Sequence, residues 1–350
     1  IASDAFPLQA ATMRHMPPPF RRTSPCTARA CVSLLLATLV AAASAACAPR
    51  VPRDAPGRDA PFRYAAVEPD VRERERQAGE RFDRARIDFA SPRGGRAPAV
   101  LHLPHGDGPF PALLLMHGLP DRPESLRTLG EAYAAAGVVT LALAAPYNRA
   151  DRPYTSGRLL RAPLFDARDR DELIQTVVDL RRAIDLLQAR ADVDGTAVGF
   201  VGHSYGGSVG ALLAAVEPRL AGVVLMVPSN GLVTVANNGF RGLPAATYAE
   251  LPPDEREAWA RSLEDLEADR WIGRAAPDRL LIQAGLRDEL VRPEDTNRLA
   301  DAAPGADLRW YDAGHALSRE ALREQAEFLG RRLGFDAGAF VAPDSIARER

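Results

Sequence analysis

The sequence predicts an α/β fold: a mostly parallel central sheet of about eight strands with helices on both faces, and a helical insertion ahead of one late strand. Three observations carry that prediction. Short apolar runs at 111–116, 138–143, 196–201, 221–227 and 279–285 read as strands buried on both faces, the pattern of parallel sheets. Segments with helical apolar spacing lie between them, so strand and helix alternate. One strand runs through the turn Gly202-His203-Ser204-Tyr205-Gly206-Gly207 straight into a helix-forming run at 208–216.

Taken in order, the chain opens on targeting features. Arg21, Arg22 and Arg29 form a basic region ahead of an uncharged Ala/Leu-rich run at 31–43, and Ser44-Ala45-Ala46-Cys47 supplies small residues for cleavage, with Met13 or Met16 as the expected initiator. Residues 1–47 resemble a bacterial lipoprotein leader, which implies a lipid on Cys47, a membrane anchor and a cell-envelope location. Ser44 stands where that family has leucine, so plain secretion to the periplasm or medium is the alternative, and an uncleaved anchor helix a third. Removing the leader takes four arginines and one aspartate and moves the formal charge from −2 to −5.

Residues 48–81 are expected to be a tether, rich in Pro, Arg and Asp, followed by a charged exposed helix at 68–81. The catalytic domain is expected at 82–334. It starts with a hairpin, strands 82–90 and 96–103 turned at Ser91-Pro92-Arg93-Gly94-Gly95. Strand 111–116 ends at His117-Gly118; a helix at 124–136 stops at Gly137; strand 138–143 follows. A polar loop at 147–165 leads to a long helix at 166–190 with Leu173, Val177, Leu180, Ile184 and Leu187 on one face. After the 221–227 strand, residues 228–276 exceed a normal crossover and contain a helical pattern at 254–268, so a lid-like insertion is expected there. Strands at 279–285 and 308–311 and a helix at 319–333 complete the domain, with a tail at 335–350.

The chemistry sits at strand ends. Gly202 and Gly206 flank Ser204 where a sharp strand–turn–helix leaves no room for side chains, and such a turn exposes the serine hydroxyl. The Tyr205 amide faces an incoming carbonyl, and the Leu119 amide, after the Gly118 turn, is the expected second oxyanion donor. His117 is expected to support that loop by a hydrogen bond, and His203 to pack away from the site. His315 lies in a small-residue loop, Asp312-Ala313-Gly314, and is the sole histidine C-terminal to Ser204. Asp288, three residues past Gly285, is the expected acid, with Glu289 and Asp295 as rivals.

Together, His117-Gly118, Gly202 to Gly207, Gly285-Leu286-Arg287-Asp288 and Gly314-His315 resemble an α/β-hydrolase of the kind shared by dienelactone-hydrolase-like esterases and prolyl-oligopeptidase-type serine peptidases. The resemblance implies the α/β-hydrolase fold and the order nucleophile, acid, base, which makes Ser204, Asp288 and His315 the triad. Dienelactone hydrolases use a cysteine nucleophile; here the position is serine, which points to an ordinary serine esterase of small-molecule esters. Amide or small-peptide hydrolysis is the first alternative, and a non-catalytic envelope-anchored binding protein the second.

Composition narrows the classes further. All 44 basic residues are arginine, so no lysine Schiff base is available, and no basic patch suggests a nucleic-acid partner. Beyond Cys47 there is no cysteine, hence no disulfide or cysteine metal site in the domain. His102 and His105 lack an evident third ligand, and neither a G-x-G-x-x-G after the first strand nor a P-loop is present; no metal and no cofactor is expected.

Overall fold

A computed structural model describes residues 59–66, 68–119, 121–149, 165–238 and 245–344. The expected leader, Cys47, most of the 147–165 loop and the end of the tail lie outside the described residues.

Nine strands form one sheet: β1 (Arg72–Gln77), β2 (Phe82–Ala90), β3 (Arg96–Pro104), β4 (Phe110–Met116), β5 (Val139–Leu143), β6 (Val193–His203), β7 (Gly222–Met226), β8 (Leu280–Gly285) and β9 (Asp307–Tyr311). Their spatial order is β1-β2-β3-β5-β4-β6-β7-β8-β9. The first four in that order pair antiparallel, and from β5 to β9 every pairing is parallel. β5, β7 and β8 are buried along their whole length, as their unbroken apolar runs require. The helices are α1 (Arg127–Ala135), α2 (Ala167–Ala189), α3 (Tyr205–Val216), α4 (Leu232–Asn237), α5 (Ala245–Glu250), α6 (Pro253–Leu263), α7 (Pro293–Asp301) and α8 (Arg319–Leu333). α2 starts on a capping box between Asp166 and Asp169, and α8 is capped by Ser318, whose side chain accepts from the Ala321 amide. Two core clusters, one on each face of the sheet, absorb the apolar stripes of these helices.

Three expectations are corrected. The charged segment 68–81 contains a strand, β1, not a helix. Arg72-Glu73-Arg74-Glu75-Arg76 alternates charge with period two, and β2 supplies both a hydrogen-bond ladder and ionic partners: Arg74 pairs with Asp88, Arg76 with Asp83 at 3.3 Å, and Arg86 with Glu75 at 3.7 Å. Every residue of β1 is exposed, which gives the sheet a charged edge. The packed domain also reaches beyond 82–334. Phe62 is fully buried with its ring 5.0 Å from Trp271, and Phe340 packs 4.5 Å from Tyr133. The helix expected at 254–268 ends at Leu263, and single 3₁₀ turns carry the chain on to Arg274.

The insertion is fastened to α2. Trp259 Nε1 donates to Asp169 Oδ2 at 2.7 Å, and its ring packs on Phe165 and Tyr248. Arg170 pairs with Asp265 from the same helix.

Sheet register then gathers the loops. Met116 lies beside Gly202, so the turn after β4 meets the turn after β6. Gly285 lies beside Tyr311, so the loops after β8 and β9 meet at the same carboxyl edge.

Candidate active site

Ser204 caps the N-terminus of α3 with φ +55° and ψ −113°, a conformation that non-glycine residues hold only when their surroundings enforce it. The surroundings are visible. Ser204 N donates to the Met226 carbonyl at 2.8 Å, and Gly206 N to that of His117 at 3.1 Å. A Cβ on Gly202 would overlap the Gly206 carbonyl, and one on Gly206 would overlap that of Met116. Those two glycines therefore let three backbone segments converge under the serine. Gly118 is next in the crowd: a Cβ there would lie 3.0 Å from that of Ser204.

Asp288 and His315 are brought together, and the rival acids are not. His315 Nδ1 lies 2.9 Å from Asp288 Oδ2 and 3.1 Å from Oδ1. Asp288 Oδ1 also accepts from the Leu290 and Val291 amides at 2.8 and 3.0 Å, which fixes the carboxylate's orientation. Burial opposes its ionisation, but the hydrogen bond and charge of His315 outweigh that and hold its pKa below the usual carboxylate value. Asp295 is on α7 and accepts from Asn238 instead, while Glu289 is exposed. Backbone bonds from Leu286 to Tyr311 and from Arg287 to Ala313, both 2.8 Å, stitch the loop carrying Asp288 to the loop carrying His315.

His117 is fully buried. Its Nε2 accepts from the Ala145 amide at 3.3 Å, so Nδ1 carries the proton and donates to the Gly118 carbonyl at 2.9 Å. Burial pushes its pKa down to about 4, consistent with a neutral ring. The loop that follows presents Leu119. Among the described residues, neither the Leu119 nor the Tyr205 amide donates to a backbone carbonyl. Both residues share a cavity wall with Ser204, and the Tyr205 amide opens α3, where the helix dipole favours negative charge. Tyr205 holds its phenol away in a 3.1 Å bond with Thr176.

The cavity is a cleft, part of it open to solvent. The insertion supplies one wall through residues 229–232, Val235 and Leu266.

A sequence model described as "Alpha/beta hydrolase family" matches residues 113–330. The chain belongs to the alpha/beta hydrolase family. Among solved structures, this α/β-hydrolase resembles acetyl xylan esterase 1 from Thermoanaerobacterium sp. JW/SL YS485, with TM-score 0.60, 20% identity, and coverage of 79% of this chain and 89% of that one. It also resembles an acetyl xylan esterase from Paenibacillus sp. R4, with TM-score 0.59, 18% identity, and coverage of 76% and 90%. At these identities the likeness is one of fold. Esterase FrsA from Salmonella paratyphi B is 43% identical over 61 residues, 17% of this chain, so the α/β-hydrolase spans about 15% of the length of the curated relative it matches.

Two features of this α/β-hydrolase escaped the sequence reading. His203 does not point away. Its Nε2 lies 3.1 Å from the His315 carbonyl and the two rings are 5.0 Å apart, because the last residue of β6 faces the loop after β9. A histidine next to Ser204 in sequence was the available signal. Glu267 is buried in the insertion and accepts from the Val233 and Thr234 amides at 3.2 Å and from Thr234 Oγ1 at 2.6 Å; desolvation pushes its pKa up to about 7 despite those bonds. Nothing in the local sequence marks it. His102 and His105 find separate partners, Thr140 and Asp83.

Proposed function

We propose that this chain is a serine hydrolase that cleaves carboxylic esters through an acyl-enzyme on Ser204. The observation that carries the reading is the strained serine at the tip of the β6–α3 turn, with the His315–Asp288 pair on the same sheet edge. His315 Nε2 takes the Ser204 Oγ proton as Oγ bonds to the ester carbon. The Leu119 and Tyr205 amides hold the oxyanion. The C–O bond to the alcohol breaks, and the imidazolium returns its proton to the departing oxygen. Water then attacks the acyl-enzyme through the same base and frees the acid. Asp288 keeps Nδ1 protonated and aims Nε2 at the serine.

The chain is also proposed to be exported, with Cys47 as its lipid attachment; loss of palmitate labelling in Cys47→Ala checks that half separately.

The enzymatic reading is tested by turnover of p-nitrophenyl esters beside peptide p-nitroanilides, wild type against Ser204→Ala. Ester turnover that depends on Ser204 supports it. Equal efficiency on the anilides moves the assignment to amide hydrolysis. A folded protein inert towards both overturns it.

A further inference from the structure

The cavity beside Ser204 runs along one face of α3. Ser204, Tyr205, Ser208, Val209 and Leu212 all line it, a spacing of successive helical turns. Ser204, Tyr205 and Ser208 keep 6–8% exposure, whereas Val209, Leu212 and, across from them, Leu266 keep at most 1%. Leu119, Gly231 and Val235 are only partly buried and frame the mouth. From Ser204 to Leu212 the helix rises about 12 Å, roughly the length of an extended eight-carbon acyl chain.

The polar groups of the wall already have partners within the protein. Ser208 Oγ lies 2.8 Å from the Ser229 carbonyl and 3.0 Å from Ser229 Oγ. Tyr205 OH bonds Thr176. Asn230 Oδ1 accepts from the Asp269 amide at 2.9 Å, and its Nδ2 faces Thr234 and Glu267. A hydroxyl-rich group entering here would lose its water without gaining partners, whereas an alkyl chain loses nothing. The leaving alcohol must lie near His315, which protonates it, and His315 does not line this cavity. The group inside is therefore the one that stays on Ser204.

Resting on the esterase reading, we propose that the cavity is an acyl-chain site ended by Leu212, and that the substrates are esters of unbranched, medium-length saturated acids. The alcohol is left to the open side.

The test is the acyl-length profile of p-nitrophenyl esters from two to fourteen carbons. Wild-type kcat/KM is expected to climb about fourfold per added methylene as each is buried, and to collapse beyond about eight carbons. Leu212→Ala moves the limit to longer chains and Leu212→Phe to shorter ones, each profile being scaled to its own butyrate rate after a thermal melt shows folding. Binding of acetate through dodecanoate to Ser204→Ala, measured by calorimetry, reads the cavity without turnover, and affinity should rise with length to the same limit. Ser204-dependent turnover that peaks at acetate, with no length dependence of carboxylate binding, overturns the acyl site and leaves the esterase reading standing. Absent ester turnover with length-dependent carboxylate binding overturns the esterase reading instead.

Discussion

At Ser204 the backbone itself is part of the device. Its φ of +55° persists because Gly202, Gly206 and the Met226 carbonyl leave it no relaxed alternative. Removing the nucleophile, Ser204→Ala, is expected to lower ester kcat by about 10⁴-fold or more, and Asp288→Asn by about 10⁴-fold through the wrong His315 tautomer, both read by steady-state kinetics. His203 acts one step back. His203→Phe removes the bond to the His315 carbonyl and is expected to lower kcat about tenfold with KM held, while His203→Gln, which keeps a donor, restores part of the loss. A raised KM with kcat intact would assign His203 to packing alone. The positions of Ser204, His315 and Asp288 were legible because each follows a strand, and strand ends are where linear order maps onto the sheet edge. The choice of Asp288 over Asp295 was legible only as a preference, since Asp295 is settled by a contact with Asn238 that no local pattern encodes.

Among the elements, the parallel strands and long helices were readable because burial imposes its period directly. β1 was not, because a run of charges counts equally well for an exposed helix and an exposed strand; its Arg/Glu alternation acquires meaning only opposite Asp83 and Asp88 on β2. The insertion was readable as helical and as a wall of the site, but its fastening was not. Asp169, nearly buried at 4% exposure, accepts from Trp259 Nε1 and from the Phe165 and Asp166 amides. Asp169→Ala strands these three donors, breaking the α2 capping box as well, and is expected to cost about 3 kcal/mol in urea unfolding. It should also speed proteolysis within 228–276, since one of the two fastenings between insertion and α2 is lost and only the Arg170–Asp265 pair remains. An unchanged cleavage rate would show that the insertion is held by the Arg170–Asp265 pair and its apolar contacts instead.

On the scale of the whole molecule, two buried neutral histidines link stability to pH. Burial pushes both His102 and His117 down to about 4, from the ordinary histidine value of 6.5. At these two sites the unfolded chain therefore binds protons at a pH where the folded chain does not, and their contribution to stability falls as pH drops from about 6.5 towards 4. At pH 5 the loss relative to pH 8 is expected to be about 2 kcal/mol per histidine, and His102→Gln should remove its share of the slope. Glu267, raised to about 7, titrates in the opposite sense and offsets part of that loss, so the reading is the difference between wild type and variant: an unchanged pH slope in His102→Gln would contradict the assignment. The domain's extent was the least legible feature at this scale, since Phe62 and Phe340 are single apolar residues in Pro-rich or irregular stretches and declare themselves only by filling holes beside Trp271 and Tyr133.

The central claim is an acyl group carried on Ser204. Rapid acid quench of the enzyme during turnover of p-nitrophenyl hexanoate, followed by peptide mass spectrometry, measures it most directly. The account predicts a hexanoyl adduct on the peptide containing Ser204 in the wild type and none in Ser204→Ala. Undiminished turnover in Ser204→Ala, or an adduct on another residue at the turnover rate, would contradict it.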